Sequence, residues 1–442
     1  MNFSRYPLIF SIGLLLFSCF QKKVIKRTNS VFIEKNKEGY QLIRNGSPYF
    51  IKGGSGSEFL LELKKVGGNT VRVYDTINLK ASLDRIDSLG LTAIIDIHLP
   101  RYKREKDTFY TNSQHTANLK VNLKKFVRKY KDHPALLYWM LGNEVYYPKL
   151  FNNEFVKVYN DLLRLVHRVD PNHPVSTTVS SSGLRKVPSI LMKSSELDFL
   201  SINDFGALHD FELDKDILFF WTKPYVISEW GIHGPWEANL TDWAAPIEIN
   251  STEKARRHRQ GYRDYIQSIN DGRHLGSLIF YWGQKQERTH TWFSLFNREG
   301  KRTQSVFEIE NLWSDHHAEF NGVQIENMTL NGKEANENII LVPNQENQAN
   351  LSFSKNFLGS DWMINWEIKP ENWNIFPHDI EKEPASIQGL IQANGEQELL
   401  FTSPASEGPY RIFVEIEDQN GYVATANIPF YVINVNDEKE VL

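Results

Sequence analysis

The sequence predicts an α/β protein, a (β/α)8 TIM barrel followed by a smaller all-β sandwich. Three observations lead there. Between about residues 45 and 316, eight apolar segments alternate with amphipathic ones, which matches the count and size of such a barrel. Several of the eight are unbroken apolar runs, as parallel strands buried on both faces require. Beyond about residue 317 the apolar period shortens to two. An open doubly wound sheet is the alternative. It asks for a glycine-rich phosphate loop after the first strand, and "IKGGSGS" (Ile51–Ser57) is only a faint version of one.

The chain has 442 residues, 41% hydrophobic and 24% charged, with a net charge of −4. That balance suits a globular protein with a large core and argues against a nucleic-acid-binding surface. The single cysteine, Cys19, excludes disulfides within the chain. Arg5 and the apolar run Tyr6–Phe17 read as a secretory signal, too short to span a membrane comfortably. "LFSC" (Leu16–Cys19) resembles a bacterial lipobox. Residues 1–19 are therefore expected to be a lipoprotein-type signal peptide and Cys19 the lipidated residue. An ordinary cleaved signal with an incidental cysteine is the alternative. The expected location is the cell envelope, with the exported protein held at a membrane by its lipid anchor.

Residues 20–44, polar and basic at first, are expected to be a tether and the entry to the barrel. Barrel strands follow at "PYFIKGG", "NTVRVYD", "TAIIDIH", "LLYWMLGNE", "PVSTTVS", "DFLSIND", "PYVISEWG" and "GSLIFYWG". Leu119, Leu123, Phe126, Val127 and Tyr130 share one helical face; so do Phe155, Val158, Leu162, Leu163 and Val166, and Ala255, His258, Tyr262, Tyr265, Ile266 and Ile269. Helices after strands five and six are weak in the sequence. Residues 317–442 read as the sandwich, immunoglobulin-like and accessory to the barrel. There Ile412, Val414 and Ile416 alternate with Arg411, Glu415 and Glu417 ahead of a hairpin turn at "DQNG" (Asp418–Gly421).

Barrel enzymes place their sites at the C-terminal ends of the strands. The polar residues there are Arg72 and Asp75, Asp96 and His98, Asn143 and Glu144, Asn203 and Asp204, and Glu229, with Trp282 at the eighth tip. Glu144 on strand four and Glu229 on strand seven end apolar runs in the same way and face each other across the barrel mouth. Such a pair suits hydrolysis of a glycosidic bond: one carboxyl protonates the leaving oxygen, and the other attacks the anomeric carbon or activates water. Asp96 and His98 lack a third metal ligand, so no metal is expected. His133 reads as structural, setting the start of strand four. Trp282 is a candidate sugar platform and "GQKQERTHTWF" (Gly283–Phe293) a candidate subsite loop.

"YKDHPALLYWMLGNE" (Tyr130–Glu144), "VDPNHPVSTTV" (Val169–Val179), "KPYVISEWG" (Lys223–Gly231), "GGNTVRVYDT" (Gly67–Thr76) and "IIDIH" (Ile94–His98) together resemble the catalytic barrel of glycoside hydrolase family 2 and its clan A relatives. The resemblance covers about residues 45 to 315. It implies a retaining hydrolase of a β-linked oligo- or polysaccharide that uses no cofactor. It implies Glu144 as acid/base and Glu229 as nucleophile, Asn143 on the sugar 2-hydroxyl, and Arg72 bracing the nucleophile; His98, Asn203 and Trp282 are further expected substrate contacts. Many clan members carry a Tyr or His after strand six, where this chain has Phe205, so what orients Glu229 stays open. "RVY" and "GNEV" also resemble fungal β-1,3-glucan-remodelling enzymes, which keeps a transglycosylase using the same glutamates as an alternative. A non-catalytic surface glycan-binding lipoprotein is the other.

Overall fold

The computed structural model describes residues 30–100, 108–145, 147–148, 153–180, 186–206, 221–314, 317–354, 362–373, 381–392 and 397–434. Cys19 and the start of the expected tether lie outside these.

All eight expected barrel strands form, in order: Ile51–Ser55, Thr70–Val73, Thr92–Ile97, Leu136–Leu141, Val175–Ser180, Phe199–Asn203, Tyr225–Trp230 and His274–Phe280. They make a closed barrel. Its ring closes through parallel pairing of the eighth strand with the first, Phe280 opposite Ser55. Side chains alternate across the strands. Ile94, Tyr138, Met140, Phe199, Val226 and Leu278 fill the interior. Val71, Ile95, Trp139, Leu141, Leu200 and Ile227 face the surrounding helices.

Residues expected to be tether and entry contain structure. Val31–Lys35, Tyr40–Arg44 and Ser47–Tyr49 form a three-stranded antiparallel sheet. Val31 and Leu42 join the interior cluster, and the Tyr49 hydroxyl bonds the Thr70 and Thr92 hydroxyls at the starts of strands two and three. The sheet thus covers apolar surface at the end of the barrel opposite the strand tips.

The helices follow the apolar faces read from the sequence. Ser113–Tyr130 buries Leu123, Val127 and Tyr130, and Glu154–Val169 buries Phe155, Val158, Leu162, Leu163 and Val166. Asn112, Asn153 and Asn250 cap three helices by accepting a hydrogen bond from a backbone N–H in the first turn. The weak region after strand five forms a short helix, Val187–Lys193; residues 207–220, after strand six, lie outside the described residues.

The C-terminal part is a sandwich of a three-stranded sheet (Ile325–Leu330, Glu346–Phe353, Glu398–Thr402) and a four-stranded one (Ile340–Leu341, Val423–Val432, Gly408–Glu417, Met363–Pro370). Ile412, Val414 and Ile416 sit in its core as expected, and the turn at Asp418–Gly421 closes with the Asp418 N–H donating to the Tyr422 carbonyl. The opposite face of that strand is not solvated. Arg411 is 1% exposed, because the barrel lies against it. Its guanidinium donates to Glu371, to Asn427 Oδ1 (2.6 Å) and to the barrel's Pro246 carbonyl (2.8 Å). Asn427 in turn donates to Glu248 of the barrel (2.7 Å), which also holds Lys254, Thr289 and Thr291. The two domains share a buried polar network, so the sandwich is more than an appendage.

Candidate active site

The residues expected at the strand tips converge on one guanidinium. Arg72, fully buried, donates to both oxygens of Asp96 (3.0 and 2.8 Å), to Glu229 Oε1 (2.7 Å), to Asn203 Oδ1 (3.2 Å) and to Asn143 Oδ1 (2.9 Å). Burial works against its charge, and Asp96, Tyr74 and Glu229 outweigh that effect, so Arg72 stays cationic. It forms an ion pair with Glu229, and its other contacts are also with protein groups. Asp96 is the buried ion-pair partner of Arg72.

Glu229 reaches this cluster through an irregularity. The register shifts between Ile227 and Glu229 against strand six and between Ile227 and Trp230 against strand eight. Strict alternation would send Glu229 outward with Ile227. The bulge turns Glu229 inward and leaves Trp230 among the helices.

Glu144 lies past the end of strand four, on a turn with left-handed backbone at Gly142 (φ 83°) and at Glu144 itself (φ 48°). That conformation costs a non-glycine residue about 1–2 kcal/mol, and it is tolerated next to the cluster. Glu144 is exposed, and its Oε1 accepts from Asn203 Nδ2 (2.9 Å). Asn203 links Glu144 to Arg72: its amide oxygen accepts from Arg72 and Ser228, and its nitrogen donates to Asn143 and Glu144. It is 1% exposed. Its hydrogen bonds, to Arg72, Ser228, Asn143 and Glu144, are all with protein groups.

Burial pushes the Glu229 carboxyl up to about 7, against the opposing pull of Arg72; the charge of Glu144 adds to the rise, and the Tyr74 hydroxyl opposes it.

Tyr74 is a functional neighbour that sequence reasoning misses. Its hydroxyl donates to Glu229 Oε1 (2.7 Å). A signal for it exists: Tyr74 stands two residues after Arg72, on the same side of an extended chain. Phe205 packs edge-on to Trp236 and Phe280 and tilted against Phe293, so an apolar group occupies the place after strand six.

His98 is exposed, and its Nε2 donates to the Tyr74 carbonyl (2.7 Å), which leaves the ring at the rim. Trp282 departs from expectation. It is 0% exposed, packs edge-on against Phe296 and belongs to the barrel–helix cluster. A Cβ on Gly54 would lie 2.5 Å from the Trp282 Cβ, so glycine there makes room for the indole. The eighth strand instead turns Phe280 and Tyr281 toward the aromatic cluster beside Tyr74. The loop Gly283–Phe293, expected to be a subsite, joins two regions. Trp292 and Phe293 pack in that aromatic cluster, while Thr289 and Thr291 hold Glu248 at the sandwich. His133 accepts from the Ala135 N–H just ahead of strand four, the structural part expected of it.

No protein-family model matches the chain. A mannan endo-1,4-β-mannosidase F from Aspergillus clavatus is 29% identical over 93 residues, which is 20% of this chain and 21% of that protein. A Ruminococcus gnavus β-glucuronidase superposes with a TM-score of 0.51 at 15% identity, covering 65% of this chain and 54% of the other. A Bifidobacterium dentium β-glucuronidase complexed with coumarin-3-O-glucuronide gives 0.50 at 14% identity, covering 64% and 48%. The chain thus spans about half the length of these solved structures and about a fifth of the curated relative. By fold, the chain is a closed (β/α)8 barrel joined to a β-sandwich, and its barrel is similar to that of these β-glucuronidases.

Proposed function

We propose that the protein is a retaining glycoside hydrolase acting on a β-linked glycan. The observation that carries this reading is the bridge at the barrel mouth. Glu144 and Glu229 come from strands four and seven and are linked by hydrogen bonds: Asn203 donates to Glu144 and accepts from Arg72, which donates to Glu229. Two carboxyls bordering one cleft are what a double displacement requires, at a separation of about 5–5.5 Å in retaining enzymes. The names of the similar proteins, a mannan endo-1,4-β-mannosidase and β-glucuronidases, agree with a β-linked substrate.

In this mechanism Glu229 attacks the anomeric carbon while Glu144 gives its proton to the departing glycosidic oxygen. Among the described residues, both hydrogen bonds to the Glu229 carboxylate fall on Oε1, which makes Oε2 the attacking atom. Water then attacks the glycosyl ester, Glu144 takes its proton, and Glu229 leaves as carboxylate. Asn143 Oδ1 is held by Arg72 and Asn203, so its Nδ2 is the group for the sugar 2-hydroxyl. A lipid at Cys19 would anchor this activity at a membrane.

The test is the anomeric configuration of the first-formed product, followed by NMR. Retention is expected; inversion would show that Glu229 activates water and is not the nucleophile. Glu144→Ala should lower turnover of poorly activated substrates by about 10²–10⁴-fold, and added azide should accelerate that variant on aryl glycosides.

A further inference from the structure

We infer that Tyr74 is the positioning residue of Glu229: its hydroxyl fixes which carboxylate oxygen attacks and favours the ionised form. The inference rests on the reading of Glu229 as nucleophile, and it is carried by four contacts that hold one side chain. The hydroxyl donates to Glu229 Oε1 at 2.7 Å, the same oxygen that receives Arg72 at 2.7 Å. The Arg72 guanidinium lies 4.5 Å from the centre of the Tyr74 ring, within range of a cation–π contact. The ring stacks on Tyr281 at 6.5 Å. His98 donates to the Tyr74 carbonyl at 2.7 Å, tying down the backbone just past strand two. The phenol is thus held by contacts to its ring and to its main chain.

The chemistry follows from the donor pattern. Arg72 and Tyr74 are the two donors to the Glu229 carboxylate among the described residues, and both bind Oε1. The carboxylate cannot rotate to present Oε1 without breaking two charge-assisted bonds, so Oε2 faces the cleft. A hydroxyl donor favours the charged carboxylate over the neutral acid and, equally, over the neutral glycosyl ester. Tyr74 therefore works against the burial that pushes Glu229 up. It also stabilises Glu229 as the leaving group when water opens the ester. Phe205, enclosed by Trp236, Phe280 and Phe293, offers no hydroxyl for this purpose.

The experiment is a titration of the glutamate carboxyls by 13C NMR on the full chain labelled at glutamate, comparing wild type with Tyr74→Phe and using Glu229→Gln to assign the resonance. Phe keeps the ring that Arg72 and Tyr281 contact, so a packing role alone would leave the titration in place. The Glu229 midpoint should rise by about one unit in Tyr74→Phe, a tenfold change in ionisation and the size of one charge-assisted hydrogen bond. An unmoved midpoint overturns the inference. Kinetics on aryl glycosides supply the second readout: the acid limb of kcat/KM should move up by the same amount, and kcat and KM should fall together as the glycosyl ester accumulates. If wild type turns over no glycoside, the reading of function fails while the NMR titration still decides what Tyr74 does to Glu229.

Discussion

Arg411→Met tests how far the sandwich supports the barrel. Arg411 is 1% exposed and its partner Glu371 is 1% exposed at the side chain. The substitution keeps the length and apolar stem of the side chain and removes four hydrogen bonds, two to Glu371 and one each to Asn427 and the Pro246 carbonyl. What remains is a buried carboxylate without its cation, next to an unpaired carbonyl. Breaking a buried pair from one side costs about 3–5 kcal/mol, a large part of an ordinary stability of about 5–15 kcal/mol. The loss should appear in urea unfolding of the full chain as a lower midpoint. Adding Glu371→Leu removes the orphaned charge and should restore most of the stability, since an apolar pair of similar volume replaces an ion pair at little cost. Activity should fall with stability, because the network continues through Asn427 and Glu248 to Thr289 and Thr291, on the loop that carries Trp292 and Phe293 to the aromatic cluster near Tyr74. A loss below about 1 kcal/mol in Arg411→Met would refute the reasoning, as would a double variant less stable than the single one.

Two further outcomes concern Glu229, and one concerns Cys19. The negative charge of Glu144 raises Glu229, so Glu144→Gln should move the Glu229 midpoint down from about 7 in a 13C NMR titration; an unmoved midpoint would show that the two carboxyls do not interact. The same shift has a stability sign: a carboxyl raised from 4.5 to about 7 on folding lowers stability as pH climbs through that window, by about 3 kcal/mol at one pKa unit per 1.36 kcal/mol. Glu229→Gln lacks this penalty, so its stability relative to wild type should improve by that amount between the two pKa values; a constant difference would show that burial does not raise Glu229. Cys19→Ala should shift the protein from the membrane to the soluble fraction, since stable anchoring depends on several acyl chains at one residue; unchanged association would remove the lipid-anchor proposal.

Much of the site is legible in the sequence because its signal is local. Each barrel strand is an apolar run that ends in polar residues, and the tip of a strand is the mouth of the barrel whatever else the chain does. Arg72, Asp96, Asn143, Glu144, Asn203 and Glu229 all carry that signal, and all of them meet in the structure. The helix faces are legible for a similar reason: a period of 3.6 marks the side that must be buried.

What the sequence alone determined is therefore the order of strands and helices, the change of period at the sandwich, and the polar residues delivered to the strand tips. Tertiary structure decided which way particular side chains turned. A place at a strand tip points Trp282 to the mouth, yet the strand's direction there sends it under the helices. Glu229 faces inward only because a bulge between Ile227 and Trp230 breaks the alternation. Arg411, on the polar face of its strand, is buried because the barrel lies opposite. Tyr74 became a partner of Glu229 across the barrel, from a residue 155 positions away in the chain. Periodicity reports how a segment relates to its own neighbours. Burial, ion pairing and hydrogen bonding depend on the surface that distant segments place opposite, and no local window of sequence contains that surface.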